Sequence, residues 1–266
     1  MPWWEQLLVR RDVLWDFGQI MEVTRPRQRL AGSTDAVLFG LFAAIASHDH
    51  PETARRLDAV PDLALRPIGT GASRQDPDTY FLGAIHHYVY AGDTALHVAA
   101  AAHNAPLARS LIARGADVRA RNRRGAEPIH YAADGTPDPA SESRDSQGEV
   151  IALLIGAGAD PNAMDRSGVA PLHRAVRNRC SGAVSALISQ GADLHLMNKS
   201  GSTPLHLAVQ NTGKSNSGSD AAKEEQHRIV TLLLEHGASP DDLDANGKTV
   251  ADAASSEWVR QLLISR

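Results

Sequence analysis

The chain has 266 residues, of which 42% are hydrophobic and 22% charged, and its net charge is -4. This apolar content excludes global disorder, and the slightly acidic balance gives no general affinity for nucleic acids or anionic membranes. The single cysteine, Cys180, excludes an intramolecular disulfide and fits a reducing compartment, so we expect a cytoplasmic protein.

The pattern of apolar residues in the first 65 positions predicts helices. Residues 1–32 predict a helical segment that caps one end of the fold, with three tryptophans, Trp3, Trp4 and Trp15. Residues 33–65 predict a helix from Ser33 to His48 and a second helix from Pro51 to Ala64. The most apolar run, 11 residues from Ala36 to Ala46, is shorter than the roughly 20 residues of a membrane span, so we expect a buried helix and no membrane partner.

Residues 66–93 predict an extended aromatic loop. The segment contains Tyr80, Phe81, Tyr88 and Tyr90. Tyrosine is enriched where proteins bind one another, so Tyr80 and Tyr88 are candidates for contact with a partner. The alternative is that these aromatic side chains pack on the first helices and cover the end of the fold.

A repeat begins after this loop. Four similar segments start at Thr94, Glu127, Ala170 and Thr203, each with His at its fourth position, and a worn copy starts at Thr249. The spacing from Thr94 to Glu127 and from Ala170 to Thr203 is 33 residues, and the other two spacings are longer because of insertions. In phase with these segments, Gly-Ala-Asp or Gly-Ala-Ser follows an apolar run four times.

The residue pattern of each unit predicts a pair of helices joined by a turn. Thr can cap the first helix, and Pro suits its first position because the missing N–H is not needed there. Gly ends the second helix, since it reaches the left-handed conformation without steric cost. One hairpin cannot bury its apolar faces alone, so the units must stack.

The 33-residue period, the T-P-L-H-x-A start and the G-A-D exit resemble the ankyrin family. The resemblance implies an all-α solenoid of stacked helix-turn-helix units with projecting finger loops and helical end caps. It also implies that the signature histidines hydrogen-bond at the helix start and to the next turn, and that a concave face of fingers and first helices holds a partner protein. The units are residues 33–65 (a degenerate first repeat), 94–126, 127–169 with an insertion, 170–202, 203–248 with an insertion, and 249–266 as a C-terminal cap.

The units depart from the pattern in two ways. Glu127 and Ala170 replace the capping Thr, and an alanine cap loses about 1 kcal/mol. The insertions, near Asp134 to Gln147 and Thr212 to Gln226, have loop-like compositions and fall between the first and second helices. They are either tolerated surface decoration or docking segments.

The fingers indicate where a partner binds. Four arginines in six residues form a basic tip on the first regular finger, whereas the last finger is acidic. This gradient would orient a partner more than it adds affinity, and a single basic tip on an acidic protein does not indicate nucleic acid. The alternative is a solvated tip that contacts no partner. The predicted partner-binding residues on the fingers are Arg119, Arg121, Arg123, Arg124, Met164, Arg166, Leu196, Met197 and Lys199. Those on the first helices are Arg174, Arg177 and Gln210.

No catalytic, metal or cofactor motif is apparent. The histidines lack zinc-ligand spacing, and no nucleophile motif occurs. We therefore predict a non-catalytic, monomeric scaffold or adaptor for an unknown protein partner. One alternative is an enzyme or enzyme subunit with a site in residues 1–93, which polar groups converging near His86, His87 and Asp93 would favour. Another is a structural protein that self-associates.

Overall fold

A computed structural model describes residues 34–135, 143–210, 219–254 and 256–264. The predicted N-terminal cap, residues 1–32, lies outside the described residues. Within them the chain forms helices in consecutive pairs, and the predicted all-α solenoid is confirmed. The pairs are α1 (Thr34–Ala46) with α2 (His50–Ala59), α3 (Ala95–Ala101) with α4 (Ala105–Ala113), α5 (Pro128–Ala132) with α6 (Ser143–Gly156), α7 (Pro171–Arg177) with α8 (Ser181–Ser189), α9 (Pro204–Ala208) with α10 (Asp220–Glu235), and α11 (Val250–Ala253) with α12 (Glu257–Ile264).

The pairs stack in one row of two layers. The first helices α1, α3, α5, α7, α9 and α11 contact one another in order, and so do the second helices α4, α6, α8 and α10. The fifth residue after each unit start is a fully buried alanine of the first helix, namely Ala99, Ala132, Ala175 and Ala208. These small side chains let neighbouring first helices approach closely, so a single apolar core runs through the stack.

The segment predicted as an extended loop contains a short hairpin. Strand β1 (Phe81–Leu82) pairs antiparallel with strand β2 (His87–Tyr88). Flanking backbone hydrogen bonds, Ala72 N–H to Val89 O and Val89 N–H to Tyr80 O, are both 2.8 Å long. The hairpin therefore stands at the place of a first finger, with its inner side chains buried in the core.

The sequence predicts loops at both insertions, and that prediction is wrong for their second halves. Ser143 to Gln147 form the start of α6, and Asp220 to Gln226 form the start of α10. The hydroxyl of Ser219 accepts the N–H of Ala222 at 3.2 Å and so caps α10. Each insertion thus lengthens a second helix at its N-terminal end.

Buried glutamines compensate for the broken turns. In the units without insertion, the carbonyl of the buried alanine in the first helix accepts a backbone N–H. Asn104 N–H donates to Ala99 O and Cys180 N–H donates to Ala175 O, both at 3.0 Å. In the inserted units a side-chain amide donates instead, from Gln147 to Ala132 at 2.9 Å and from Gln226 to Ala208 at 2.7 Å. The same carbonyl is therefore satisfied in all four units, as a buried polar group requires.

Candidate functional site

Each finger is closed by a side-chain turn that recurs once per unit. In Asn122, Asp165, Asn198 and Asp244, Oδ1 accepts the backbone N–H groups two and four residues further on, at 2.8–3.1 Å. A glycine with positive φ follows three residues after each of them. This N/D-x-x-G pattern repeats in phase with the histidines, so the search for self-similarity could have found it and did not.

Neighbouring fingers are hydrogen-bonded to one another. Arg123 N–H donates to Ala91 O at 2.7 Å, and Arg166 N–H donates to Arg124 O at 2.9 Å. Gly125, at φ 74°, allows this approach, because an added Cβ would lie 2.9 Å from the backbone nitrogen of Arg166. The fingers therefore present their side chains at a fixed spacing.

The four arginines of the basic tip each anchor part of the finger. Arg119 Nε donates to Gly158 O at 2.7 Å on the next unit, and Arg121 Nε donates to the carboxylate of Glu127 at 2.9 Å. Arg123 donates to Ala72 O on the hairpin segment. The tip is thus ordered by its own side chains, while Arg119, Arg121 and Arg123 stay exposed.

The structure brings the basic tip and the aromatic segment together. The guanidinium of Arg124 lies 4.7 Å from the centre of the Tyr90 ring and donates from Nη1 to its hydroxyl at 2.7 Å. Arg123 lies over the same ring at 5.5 Å. A cation is attracted to the face of an aromatic ring, and nothing in the local sequence indicates these two contacts.

The other predicted finger residues differ in exposure. Arg166, Met197 and Lys199 are exposed, Met197 by 43%, whereas Met164 and Leu196 are half-buried. The fingers of residues 160–168 and 193–201 together therefore expose both cationic and apolar side chains to the solvent.

The predicted residues of the first helices fall into two groups. Arg177 and Gln210 are exposed. Arg174 is not available in the same way, because its side chain is 15% exposed and pairs with Asp134 at 2.5 Å and Asp165 at 2.9 Å. Burial opposes its charge, but the two carboxylates outweigh burial and raise the pKa of Arg174. Arg174 ties α7 to the preceding unit.

The two tyrosines predicted to contact a partner, Tyr80 and Tyr88, differ in exposure. Tyr80 is buried and packs edge-to-face on Phe39 of α1, with ring centres 5.8 Å apart, so it belongs to the core and not to the exposed surface. Tyr88 is half-buried beside Phe81, at 4.8 Å between ring centres. Phe81 itself is 38% exposed and is the aromatic side chain most open to a partner on this hairpin.

The signature histidines have the structural role that the resemblance implies. His97 Nδ1 accepts the N–H of Thr94 at 3.1 Å, and its Nε2 donates to Ala126 O at 3.2 Å on the next turn. His130, His173 and His206 repeat the link to the next turn at 3.2 Å. Burial lowers the pKa of His97, His130 and His173, to about 3 for His130, so these rings are neutral in the folded protein.

A buried polar cluster lies behind the first two fingers. The fully buried carboxylate of Asp93 accepts hydrogen bonds from Tyr131 Oη and Asn122 Nδ2, both at 2.8 Å, and from Tyr90 N–H at 2.7 Å. Burial, and then the nearby charge of Asp93, raise the pKa of Tyr131. His87 packs its ring on Tyr131 at 4.3 Å between centres.

A small cavity opens in front of this cluster. Its volume is about 100 Å³. The lining residues come from the hairpin, the second finger and two first helices, and they are His87, Tyr90, Asn122, Arg124, Ala126, Tyr131, Asp134 and Arg174. Nε2 of His87 is buried and has no hydrogen-bond partner among the described residues.

The convergence of polar groups that would favour an enzyme is present in part. His87 and Asp93 both contribute to the cluster around Tyr131, whereas His86 is exposed at the end of a turn. The three donors on Asp93 and the raised pKa of Tyr131 suit a structural network better than proton transfer. In the described ranges no three His, Cys, Asp or Glu side chains are grouped as metal ligands.

None of the helices in the described part of the chain has the length and hydrophobicity needed to cross a membrane.

Comparison with known families gives matches over most of the repeat region. A model of ankyrin repeats in three copies matches residues 140–217, and a model of the single ankyrin repeat matches residues 91–123 and 200–245. Together these ranges cover just over half of the 266 residues. A search of curated proteins gives no match.

Proposed function

Because the chain belongs to the ankyrin-repeat family, we propose that it is a non-catalytic scaffold or adaptor that binds a partner protein through its fingers and first helices. Ankyrin repeats are generally protein–protein interaction modules. The identity of the fold alone does not decide the function, so the proposal depends on the surface that this chain presents.

The proposal depends most on the ordered row of fingers, three of which expose cationic side chains. Arg119, Arg123 and Arg166 are exposed on fingers that hydrogen-bond to one another, and Lys199 continues the row. A surface whose backbone is already fixed loses less conformational entropy when a partner binds. Its charge favours a partner with an acidic surface and speeds their encounter.

The rest of the proposal concerns the state of the protein. We expect a monomer in a reducing compartment such as the cytoplasm, where the buried thiol of Cys180 stays reduced. Light scattering after size-exclusion chromatography tests this directly. A dimer mass would favour the self-associating alternative.

A variant of four residues tests the binding surface. We would change Arg119, Arg123, Arg166 and Lys199 to Ala. Arg121 and Arg124 are kept, because they pair with the side chains of Glu127 and Tyr90. Arg119 and Arg123 bond only to backbone carbonyls among the contacts described above, and a melting curve checks that the variant is folded. The assay is affinity capture from the native cells, with quantitative mass spectrometry of proteins bound to the wild-type chain and to the variant.

The chain offers a matched control. Arg55, Arg109, Arg114 and Arg228 lie on the second helices, are exposed and form surface ion pairs. Changing them to Ala removes the same charge from the other layer. Proteins captured by the wild type and the control, and reduced at least tenfold on the finger variant, would support the proposal. If the finger variant captures every protein that the control captures, the proposed surface is wrong.

A further inference from the structure

The cavity between the first two fingers lies on the surface to which the proposed function assigns the partner. Its walls combine His87 and Tyr90 of the hairpin with Arg124 of the basic finger and Tyr131 of α5. We propose that it is a pocket for one carboxylate side chain, an aspartate or glutamate of the bound partner. This inference rests on the proposed function and adds the chemistry of the group that is recognised.

Hydrogen-bond donors are the first argument. Tyr90 Oη accepts from Arg124, so its own O–H proton points away from that guanidinium. His87 Nε2 is buried and has no partner among the described residues, and its Nε2–H tautomer donates. A carboxylate accepts only and has two oxygens to do so, whereas a hydroxyl also brings a donor and an ammonium group has no acceptor.

The charges of the lining are the second argument. Two guanidinium groups, Arg124 and Arg174, and one carboxylate, Asp134, line the cavity. Arg174 is already paired with Asp134 at 2.5 Å and with Asp165 at 2.9 Å, so the positive charge that favours a carboxylate is mainly that of Arg124. Asp134 also accepts from Asn178 at 3.0 Å. The negative charge of Asp93 behind the wall is held by three donors. The exposed Arg123 beside Tyr90 adds positive charge at this place.

Size is the third argument. The cavity of about 100 Å³ is small but larger than the roughly 10–15 Å³ that a single water molecule needs, so a group of a few atoms can enter it. A carboxylate has one carbon and two oxygens. A whole peptide segment does not fit, so the rest of the partner would lie on the fingers.

Small probes test the pocket without knowledge of the partner. We would titrate the full chain with sodium acetate, and separately with its neutral isostere acetamide at equal ionic strength set by sodium chloride. The readout is the NMR resonances of the His87 ring, assigned with His87→Phe. We expect saturable shifts with acetate, and at most linear, non-saturating shifts with acetamide and with sodium chloride alone.

Variants locate the effect. Arg124→Met keeps a side chain against the Tyr90 ring but removes the charge, and it should lower the affinity for acetate at least tenfold. Tyr90→Phe keeps the ring but removes the hydroxyl, and it should lower that affinity at least threefold. Arg109→Met on α4 removes an exposed arginine of the second helices that does not line the cavity, and it should leave acetate binding unchanged. Melting curves check that every variant is folded, and Tyr90→Phe serves if Arg124→Met is not.

The outcomes separate the two proposals. The carboxylate pocket would be overturned if acetamide saturated the His87 shifts as acetate does, or if acetate did not saturate them. It would also be overturned if Arg109→Met lowered the affinity for acetate as much as Arg124→Met does. If acetate fails while the finger variant still loses its captured proteins, the pocket is wrong and the proposed function stands. If acetate binds but the finger variant captures as before, the pocket stands without the proposed partner surface.

Discussion

Gln147 provides the sharpest test of how the solenoid tolerates its insertions. Its side chain is 1% exposed, and its amide donates to the carbonyl of Ala132 at 2.9 Å. Gln147→Leu nearly keeps the volume of the side chain but removes the buried amide that donates to that carbonyl. An unsatisfied buried group costs about 1–3 kcal/mol, so we expect a loss of about 2 kcal/mol and a melting temperature lower by about 4–8 °C.

An isosteric variant separates hydrogen bonding from packing. Gln147→Glu replaces the donor by an ionised acceptor that faces the same carbonyl. This burial would raise the pKa of the new carboxyl above its unfolded value of about 4.3. The protonated form is then favoured in the folded state, so the destabilisation should be small below pH 4 and should grow as the pH rises.

Urea unfolding, followed by circular dichroism at several pH values, measures both effects. Gln190→Leu, an exposed glutamine at the end of α8, is the matched control and should change the free energy of unfolding by less than about 0.5 kcal/mol. The reasoning is refuted if Gln147→Leu is as stable as that control, or if Gln147→Glu shows no dependence on pH beyond that of the wild type.

Three further predictions concern stability. Ala170→Thr should raise the free energy of unfolding by about 1 kcal/mol, because Ala170 is the N-cap of α7 and has no capping oxygen; an unchanged or lower melting temperature would count against the register. The pKa of His130 is lowered to about 3, so its neutral form stabilises the fold above pH 6.5, and this contribution is lost by about 1.4 kcal/mol per pH unit as the pH falls from 6.5 toward 3. Chemical unfolding at pH 7.5 and pH 5.5 should show that loss, and His130→Asn should lose less; equal stability at both pH values would contradict the buried neutral ring. Arg121→Ala should lose about 1 kcal/mol because it removes the partner of Glu127, which is 3% exposed, whereas Arg119→Ala should lose less; equal losses in urea titrations would mean that Glu127 does not depend on Arg121.

The sequence predicted the fold because its signals are local. Thr or Pro at the start of a helix, histidine three residues later and glycine at the exit are all read within one 33-residue unit. The structure confirms these positions in the short helices and in the histidine bonds. The insertions were misjudged because a polar, Ser- and Glu-containing stretch is compatible with an exposed helix as well as with a loop.

The candidate site was harder to predict because it depends on pairs far apart in the chain. Arg174 was predicted as an exposed contact, but it is held by Asp134, 40 residues earlier. Asp93 and Tyr131 are separated by 38 residues, and nothing in either local sequence indicates their bond. Tyr80 was a partner candidate with packing as the alternative, and only the position of Phe39 on α1 places it in the core.

In the proposed complex the partner lies on the fingers and not on the second helices. Hydrogen–deuterium exchange of the chain, alone and bound to a protein captured as described above, measures this directly. We expect slower exchange in the finger residues 117–125 and 160–168 on binding, with α4 and α8 unchanged. Protection confined to α4 and α8, with the fingers exchanging as in the free chain, would contradict the account.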